Sequence, residues 1–375
     1  YDRASDRLLV TSASDVHAIR IEQGDGLRGL GFARLGAIGE DVTHVAIDPA
    51  GRGFAAACLV PEKFATRFGF VVFFDPVTLR EVARVGVGHN PDSCAFSPGG
   101  EFLVVANEGQ PQTLSTGEIV DPPGSVSIID LRRVREATDL AKLKDSQCVT
   151  LLFTGSVMEE SLASDAPPRI SRRNAETPAL DIEPEYVVAP NNQTAYVSLQ
   201  ENNAVAELSL DPPSIRRVSG LGLVSRSLDG SDIDGPLAKS WSVDCAPMPD
   251  QVATFVSAGV RYLVLAEEGD TRGERRARDE QGLSDVARVR DLASWFGHDP
   301  AALDESLVAD GAIGRLQVLI DASDADGDGR LDTLIAPGSR SIGVYDAATM
   351  TRIGDSQSAF ETASMLLFAD DSRSD

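Results

Sequence analysis

The sequence predicts an all-β chain, a β-propeller of four-stranded antiparallel blades with short helical insertions. Three observations carry this. Three stretches share one layout: a proline-acid pair, an apolar run, a Gly- or Asn-type turn, a second apolar run and a glutamate. They run from Asn90-Pro91-Asp92 to Asn107-Glu108-Gly109, from Glu183-Pro184-Glu185 to Gln200-Glu201-Asn202, and from Met248-Pro249-Asp250 to Glu267-Glu268-Gly269. The opening and closing acids are sixteen, sixteen and eighteen residues apart. Two apolar runs about a turn make a hairpin signature, and its recurrence marks a repeat architecture. Compact strands of one type, VVFFD, GSVSIID and SIGVYD, supply third strands. Four short antiparallel strands per unit is the logic of a propeller blade. A sandwich is the runner-up, but it gives no reason for hairpins with the same internal layout.

Taken in order, Leu8 to Ser12 and Val16 to Ile21 alternate around a turn. Val42 to Asp48 and Gly53 to Val60 flank Asp48-Pro49-Ala50-Gly51, and Phe68 to Asp75 and Arg80 to Val87 flank Pro76-Val77-Thr78. The Asp92 hairpin leads into Gly124 to Asp130, and the Glu185 hairpin into Ala204 to Leu210. The Asp250 hairpin is expected to lead into Ile313 to Ile320, with Ser341 to Asp346 as a third strand of its unit. The marked units are unevenly spaced, so insertions are expected at about 131–182 and 271–312. The first has helical spacing at Val134, Ala137, Leu140 and Ala141. The second has it at Leu283, Val286, Val289, Leu292 and Trp295. The earliest unit has Thr43 where Asp92 would stand and no matching glutamate. The reading is one propeller domain over 1–375, incomplete at its C-terminal end. About five units and a partial one are visible, where about seven blades are expected. Further chain or a neighbour would supply the remaining strands.

A formal net charge of −24 argues against nucleic-acid binding, which needs clustered cations, and suits exposure to divalent cations. No run of eighteen apolar residues is present, so no transmembrane helix is expected. Cys58, Cys94, Cys148 and Cys245 permit two disulfides in three pairings, or four free thiols, and leave the compartment open. His17, His44, His89 and His298 form no metal spacing; His89, just before Asn90-Pro91-Asp92, is within reach of the same rim, but a lone histidine is read as structural. The arginines at 272, 275, 276, 278, 288 and 290 are expected to pair with surrounding carboxylates.

The sharpest metal signal is Asp324, Asp326, Asp328, Gly329, Arg330 and Asp332. Aspartates at alternate positions followed by glycine wrap a hard cation in oxygen ligands, with Arg330 offering a carbonyl and Asp332 the ninth position. Ile335 stands where an EF-hand has its bidentate glutamate, and the flanks read as strands, so the expectation is a Ca²⁺ loop between strands. Asp229, Asp232 and Asp234 make a weaker relative, read as a polar turn. The repeated acids are the second candidate. If each proline-acid pair opens an innermost strand, Asp92, Glu185 and Asp250 lie near one rim, with Glu108, Glu201 and Glu268 close by. Like carboxylates brought together need a cation or a proton, so a second divalent site is a candidate there. The alternative is that these acids only shape turns. No GxSxG elbow, P-loop, HExxH or convincing dinucleotide fingerprint is present.

Several blocks together resemble the choice-of-anchor I domain family, which includes alkaline-phosphatase-like proteins and mesenchyme-specific cell-surface glycoproteins. They are VVFFD, NPDSCAFSPGGEFLVVANEGQP, DPPGSVSIIDL, EPEYVVAPNNQTAYVSLQENNAV, SDIDG, MPDQVATF, EEGDTR, RVRDL, IGRLQV and DADGDGRLDTLIAPGSRSIGVYDA. The resemblance implies a propeller-like fold, an extracellular, cell-surface or otherwise exported setting, and a further blade after Ser372-Arg373-Ser374-Asp375. Glu267 departs from the family pattern, which has asparagine there. The leading functional expectation is a non-enzymatic, calcium-stabilised module that binds protein or surface-matrix partners. The alternative is a metal-dependent phosphoesterase using the rim acids.

Overall fold

A computed structural model describes residues 1, 6–22, 26–35, 40–171, 174–231, 233, 238–272, 284–292, 308–328 and 332–367. The chain is all-β, as expected, and falls into two compact units. The first comprises Tyr1–Ser161, Thr177–Leu199 and Val205–Val218, and the second Leu162–Glu176, Gln200–Ala204 and Ser219–Asp375.

The first unit opens with a three-stranded sheet, β1 (Leu8–Ser12), β2 (Asp15–Glu22) and β3 (Gly26–Arg34). A blade follows in sequential order: β4 (Glu40–Ile47), β5 (Ala55–Pro61), β6 (Phe70–Phe74) and β7 (Glu81–Gly86). The next is β8 (Pro91–Phe96) and β9 (Phe102–Asn107), then, past the two-residue strands β10 (Gln112–Thr113) and β11 (Ile119–Val120), β12 (Ser125–Asp130) and β13 (Cys148–Leu152). After the short helix α1 (Ser156–Leu162), β14 (Pro184–Val188), β15 (Thr194–Leu199), β16 (Ala204–Leu210) and β17 (Pro213–Gly220) make a third four-stranded sheet.

The apolar runs of β5 and β6 are continuous rather than alternating because both faces of their sheet are covered. Cys58, Val71 and Phe73 face a core shared with Cys94, Phe96, Leu103, Val105 and Ile129 of the next blade. Leu59, Val72 and Phe74 face a second core built with Leu9, Val16 and Leu35. Phe73 is fully buried, and truncating it to alanine is expected to cost about 3–5 kcal/mol. The helical spacing at Val134 to Ala141 gives a 3-10 turn, Ala137–Lys142, whose Leu140 seals the first core. At the outer turns, Arg52 grips the buried Asp48 carboxylate at 2.7 and 2.9 Å and donates to the carbonyls of Gly100 and Val134. The DPAG turn is thereby tied to the neighbouring blade.

Strands β4, β8 and β14 lie side by side. Side-chain hydroxyls stitch them: Thr43 Oγ1 donates to the Pro91 carbonyl at 2.7 Å, and Ser93 Oγ to the Glu185 carbonyl at 2.6 Å. The expectation that each proline-acid pair opens the first strand of a blade therefore holds in this unit.

The second unit contains β18 (Val224–Asp229), β19 (Ala238–Ala246), β20 (Val252–Ser257), β21 (Val260–Glu267), β22 (Val286–Arg288) and β23 (Gln317–Leu319). One helical turn, α2 (Ile320–Ser323), precedes β24 (Ile335–Pro337), β25 (Ser341–Asp346), β26 (Arg352–Asp355) and α3 (Ala359–Leu367). Its four-stranded sheet is β20-β21-β25-β26.

Four expectations need correction. Ser341 to Asp346 is the third strand of the Asp250 unit, as expected, but Ile313 to Ile320 does not belong to that sheet: only Gln317–Leu319 of it is strand, paired with β22. Val286–Arg288 is likewise strand, not helix; its spacing is ambiguous over so short a run, and pairing with β23 decides it. Leu283 and Trp295 lie outside the described residues. The stretch 131–182 is not wholly an insertion, because Cys148–Leu152 returns as the outer strand of its blade. Finally, β24 joins β19 in parallel, so the sheet β18-β19-β24 is mixed.

Candidate functional site

The Asp324 loop follows α2 and ends at β24, so a helical turn stands where a strand flank was expected. Asp324 is fully buried, and its Oδ1 accepts the Gly327 amide at 3.0 Å. Asp332 Oδ2 accepts the Ala325 amide at 2.8 Å, while its own amide donates to the Ser323 carbonyl at 2.8 Å. These bonds fold the loop back on itself, with Gly327 in the left-handed region at φ 76°. Carboxylate oxygens of Asp324, Asp326 and Asp332 lie within 4.8 Å of one another. Asp328 is not one of this group, and its amide donates to Asp326 at 3.1 Å. Gly329 and Arg330 lie outside the described residues. The donor set is all oxygen, with two of the three acids exposed, which fits a hard cation such as Ca²⁺. In the weaker loop Asp229 accepts the Ser231 amide at 3.4 Å, and Asp232 and Asp234 lie outside the described residues.

The proline-acid positions are β-bulges. The ladder register slips between Val42 and Val45, between Pro91 and Ser93, and between Pro184 and Val187. In the second unit the amide of Asp250 donates to the Ala266 carbonyl, while the Ala266 amide donates to Gln251, so two residues again oppose one. A bulge re-aims the side chain at that point, which explains why the acid position recurs. In the first unit it brings Asp92 and Glu185 together, and the two side chains share a hydrogen bond. Burial raises the Asp92 pKa above the usual aspartate value, against the opposing pull of His44 and of the bond to Glu185. Burial thus disfavours the charged form of Asp92 here.

The closing glutamates differ. Glu108 is buried and accepts from Asn90 Nδ2, so its carboxylate braces its own hairpin. Glu201 is buried in the second unit, where its carbonyl accepts from Arg169 at 2.8 Å; Glu268 is exposed. The glycines after Glu108 and Glu268 are required by packing: a Cβ on Gly109 would come within 2.7 Å of Gly124 atoms, and one on Gly269 within 2.2 Å of Gly338. Glu267, where the resemblance implies asparagine, is buried against Arg352, with Nη1–Oε1 at 2.8 Å and Nη2–Oε2 at 2.9 Å, and is also bonded by Ser339, Ser341 and Tyr345. Asn107 holds the corresponding place in the first unit by donating to Ser127 Oγ at 3.0 Å.

Sequence reasoning missed one cluster. His44 Nδ1 lies 3.7 Å from Cys94 Sγ and 3.4 Å from the Cys94 amide nitrogen, and the His44 ring packs edge-on against Tyr186. The Cys58 thiol hydrogen-bonds Cys94 from the adjacent blade. That bond, followed by the effect of His44, brings Cys94 down to about 6 against burial and the charge of Asp92. Burial opposes charging His44, but its bond to Cys94 and the charges of Cys94 and Asp92 outweigh that and raise its pKa. Burial pushes Cys58 well up. The only sequence signal was position: His44 follows Thr43, and Cys94 sits two residues after Asp92. His89 instead bonds the Phe64 carbonyl at 2.7 Å and packs on Phe68. All four cysteines are free thiols. Arg272 pairs with Asp285 and Arg290 with Asp310, as expected of the arginine stripe; residues 275, 276 and 278 lie outside the described residues.

The model of the choice-of-anchor I domain matches residues 1–372. The chain belongs to this family. No curated protein matches it in sequence. Among solved structures, this choice-of-anchor I domain is similar to hydrazine synthase of Kuenenia stuttgartiensis, with 15% identity over 56% of this chain and 51% of that one and a TM-score of 0.37. It thus spans about half the length of that chain. A functionally unknown protein from Desulfotomaculum acetoxidans is 11% identical over 95% and 83% of the two chains, with a TM-score of 0.38. A nidogen/laminin complex gives 9% identity over 93% and 92%, with a TM-score of 0.37. Scores of this size carry no argument about function.

Proposed function

We propose that this choice-of-anchor I domain is a non-enzymatic structural and interaction module, stabilised by Ca²⁺ at Asp324, Asp326 and Asp332 and working in an exported or cell-surface setting. The observation that carries the reading is the convergence of three carboxylates on one loop, one of them fully buried. Three negative charges at this spacing repel, and a cation bound only by the folded state turns that cost into stability. The loop joins β23 to β24, so ordering it holds both sheets of that region in register. Protein or surface-matrix partners are the expected ligands of such a module. Among the described residues no helix is long and apolar enough to cross a membrane.

Thermal unfolding with Ca²⁺ and with a chelator tests the proposal. The melting temperature is expected to rise with Ca²⁺ in the wild type and to stay flat in Asp324→Asn. A chelator-insensitive wild type would overturn it. Turnover of a generic phosphomonoester, lost in Asp250→Ala, would move the reading to the phosphoesterase alternative.

A further inference from the structure

The cluster of Cys58, Cys94 and His44 lies outside the calcium loop and plays no part in the proposed function. Two thiols from neighbouring blades meet in one core, Cys58 on β5 and Cys94 on β8, with an imidazole 3.7 Å from the second sulfur. The geometry points to a peroxide-reactive dithiol, in which Cys94 is the attacking sulfur, His44 carries the proton, and Cys58 closes a disulfide between β5 and β8.

The roles follow from placement. His44 Nδ1 is within reach of Cys94 Sγ, so the imidazole takes the Cys94 proton and leaves a thiolate-imidazolium pair. The depressed Cys94 and raised His44 agree with that division, as does the raised Cys58, which remains a thiol. The thiolate attacks one oxygen of hydrogen peroxide; the S–O bond forms and the O–O bond breaks. The departing hydroxide takes the imidazolium proton and leaves as water. Cys94 is now a sulfenic acid, two electrons oxidised. Cys58 then attacks the Cys94 sulfur, S–S forms, S–O breaks, and the Cys58 proton leaves with the hydroxyl as a second water. Two thiols and one peroxide give one disulfide and two waters.

Burial selects the oxidant. Cys58 is 0% and Cys94 2% exposed, so the pair is shielded from a bulky disulfide reagent, and a small oxidant reaches it only through local opening of the fold. Asp92, bonded to Glu185, faces the same cluster and disfavours the thiolate, which the Cys58 hydrogen bond and then the imidazole sustain.

The test treats the folded full chain, with Cys148 and Cys245 changed to serine, with hydrogen peroxide, and maps the products by non-reducing peptide mass spectrometry. The expected product is one peptide pair linked through Cys58 and Cys94. Cys58→Ser is expected to stop at a Cys94 sulfenic acid trapped by dimedone. His44→Asn is expected to slow the reaction about tenfold, the change from a mostly ionised to an ordinary thiol. A protein that stays reduced while folded, or that oxidises as fast without His44, would overturn the proposal. Equal reaction with peroxide and with a bulky aromatic disulfide would overturn the claim of selection by burial.

Discussion

Asp92 with Glu185, and Asp324 with Asp326 and Asp332, are two places where the fold brings carboxylates together, and they differ in burial and in neighbours. The first pair sits on bulged strands β8 and β14, partly buried, beside His44, where burial disfavours the charged form of Asp92. The second group sits on an open loop, shaped by backbone amides, with Asp326 and Asp332 exposed to solvent and to any cation in it. Counting acids does not separate the two places; burial and neighbours do. Glu267 shows a third solution, a buried carboxylate compensated by a bidentate arginine.

That contrast can be broken most forcefully at the third solution. Arg352→Met leaves Glu267 buried without its countercharge and is expected to cost about 3–5 kcal/mol in denaturant unfolding. Adding Glu267→Asn, the residue type that serves at Asn107, is expected to recover most of the loss. No recovery would mean that Arg352 acts through packing alone. A smaller effect is expected at the loop: saturating Ca²⁺ at a hundred times its dissociation constant adds about 2.7 kcal/mol, and Asp324→Asn removes that gain.

The pH dependence probes the buried pair. Asp92 has its folded pKa above the ordinary value of about 3.9, so the folded chain holds more protons than the unfolded one across that interval. Stability therefore falls as pH rises through it, and Asp92→Asn is expected to flatten the slope. A slope unchanged in that variant would remove the raised Asp92 pKa from the account. The smallest expected effect is at Asp328, outside the converging group: Asp328→Asn should leave Ca²⁺ affinity within about twofold, whereas Asp326→Asn should weaken it about tenfold or more. Comparable losses from both would place Asp328 among the ligands.

The hairpins were legible because their information is local: an apolar run, a turn and another run need only neighbours in sequence. The Asp324 loop was legible for the same reason, since its converging carboxylates lie within nine residues. The proline-acid marker was visible too, although its physical meaning, a bulge that turns the acid across to the next blade, needed the ladder register. What escaped was long-range. Cys94 meets His44 from fifty residues away, and Arg352 meets Glu267 from eighty-five. No spacing rule encodes such contacts. Short runs failed differently: Val286–Arg288 has spacing that suits a helix, and only its partner β23 makes it a strand.

The most direct test is a crystal structure grown with Ca²⁺ and read by anomalous scattering. The expected result is one ion about 2.3–2.6 Å from oxygens of Asp324, Asp326 and Asp332, and none at Asp92 and Glu185. A Ca²⁺ ion between Asp92 and Glu185, with the Asp324 loop vacant, would contradict the account.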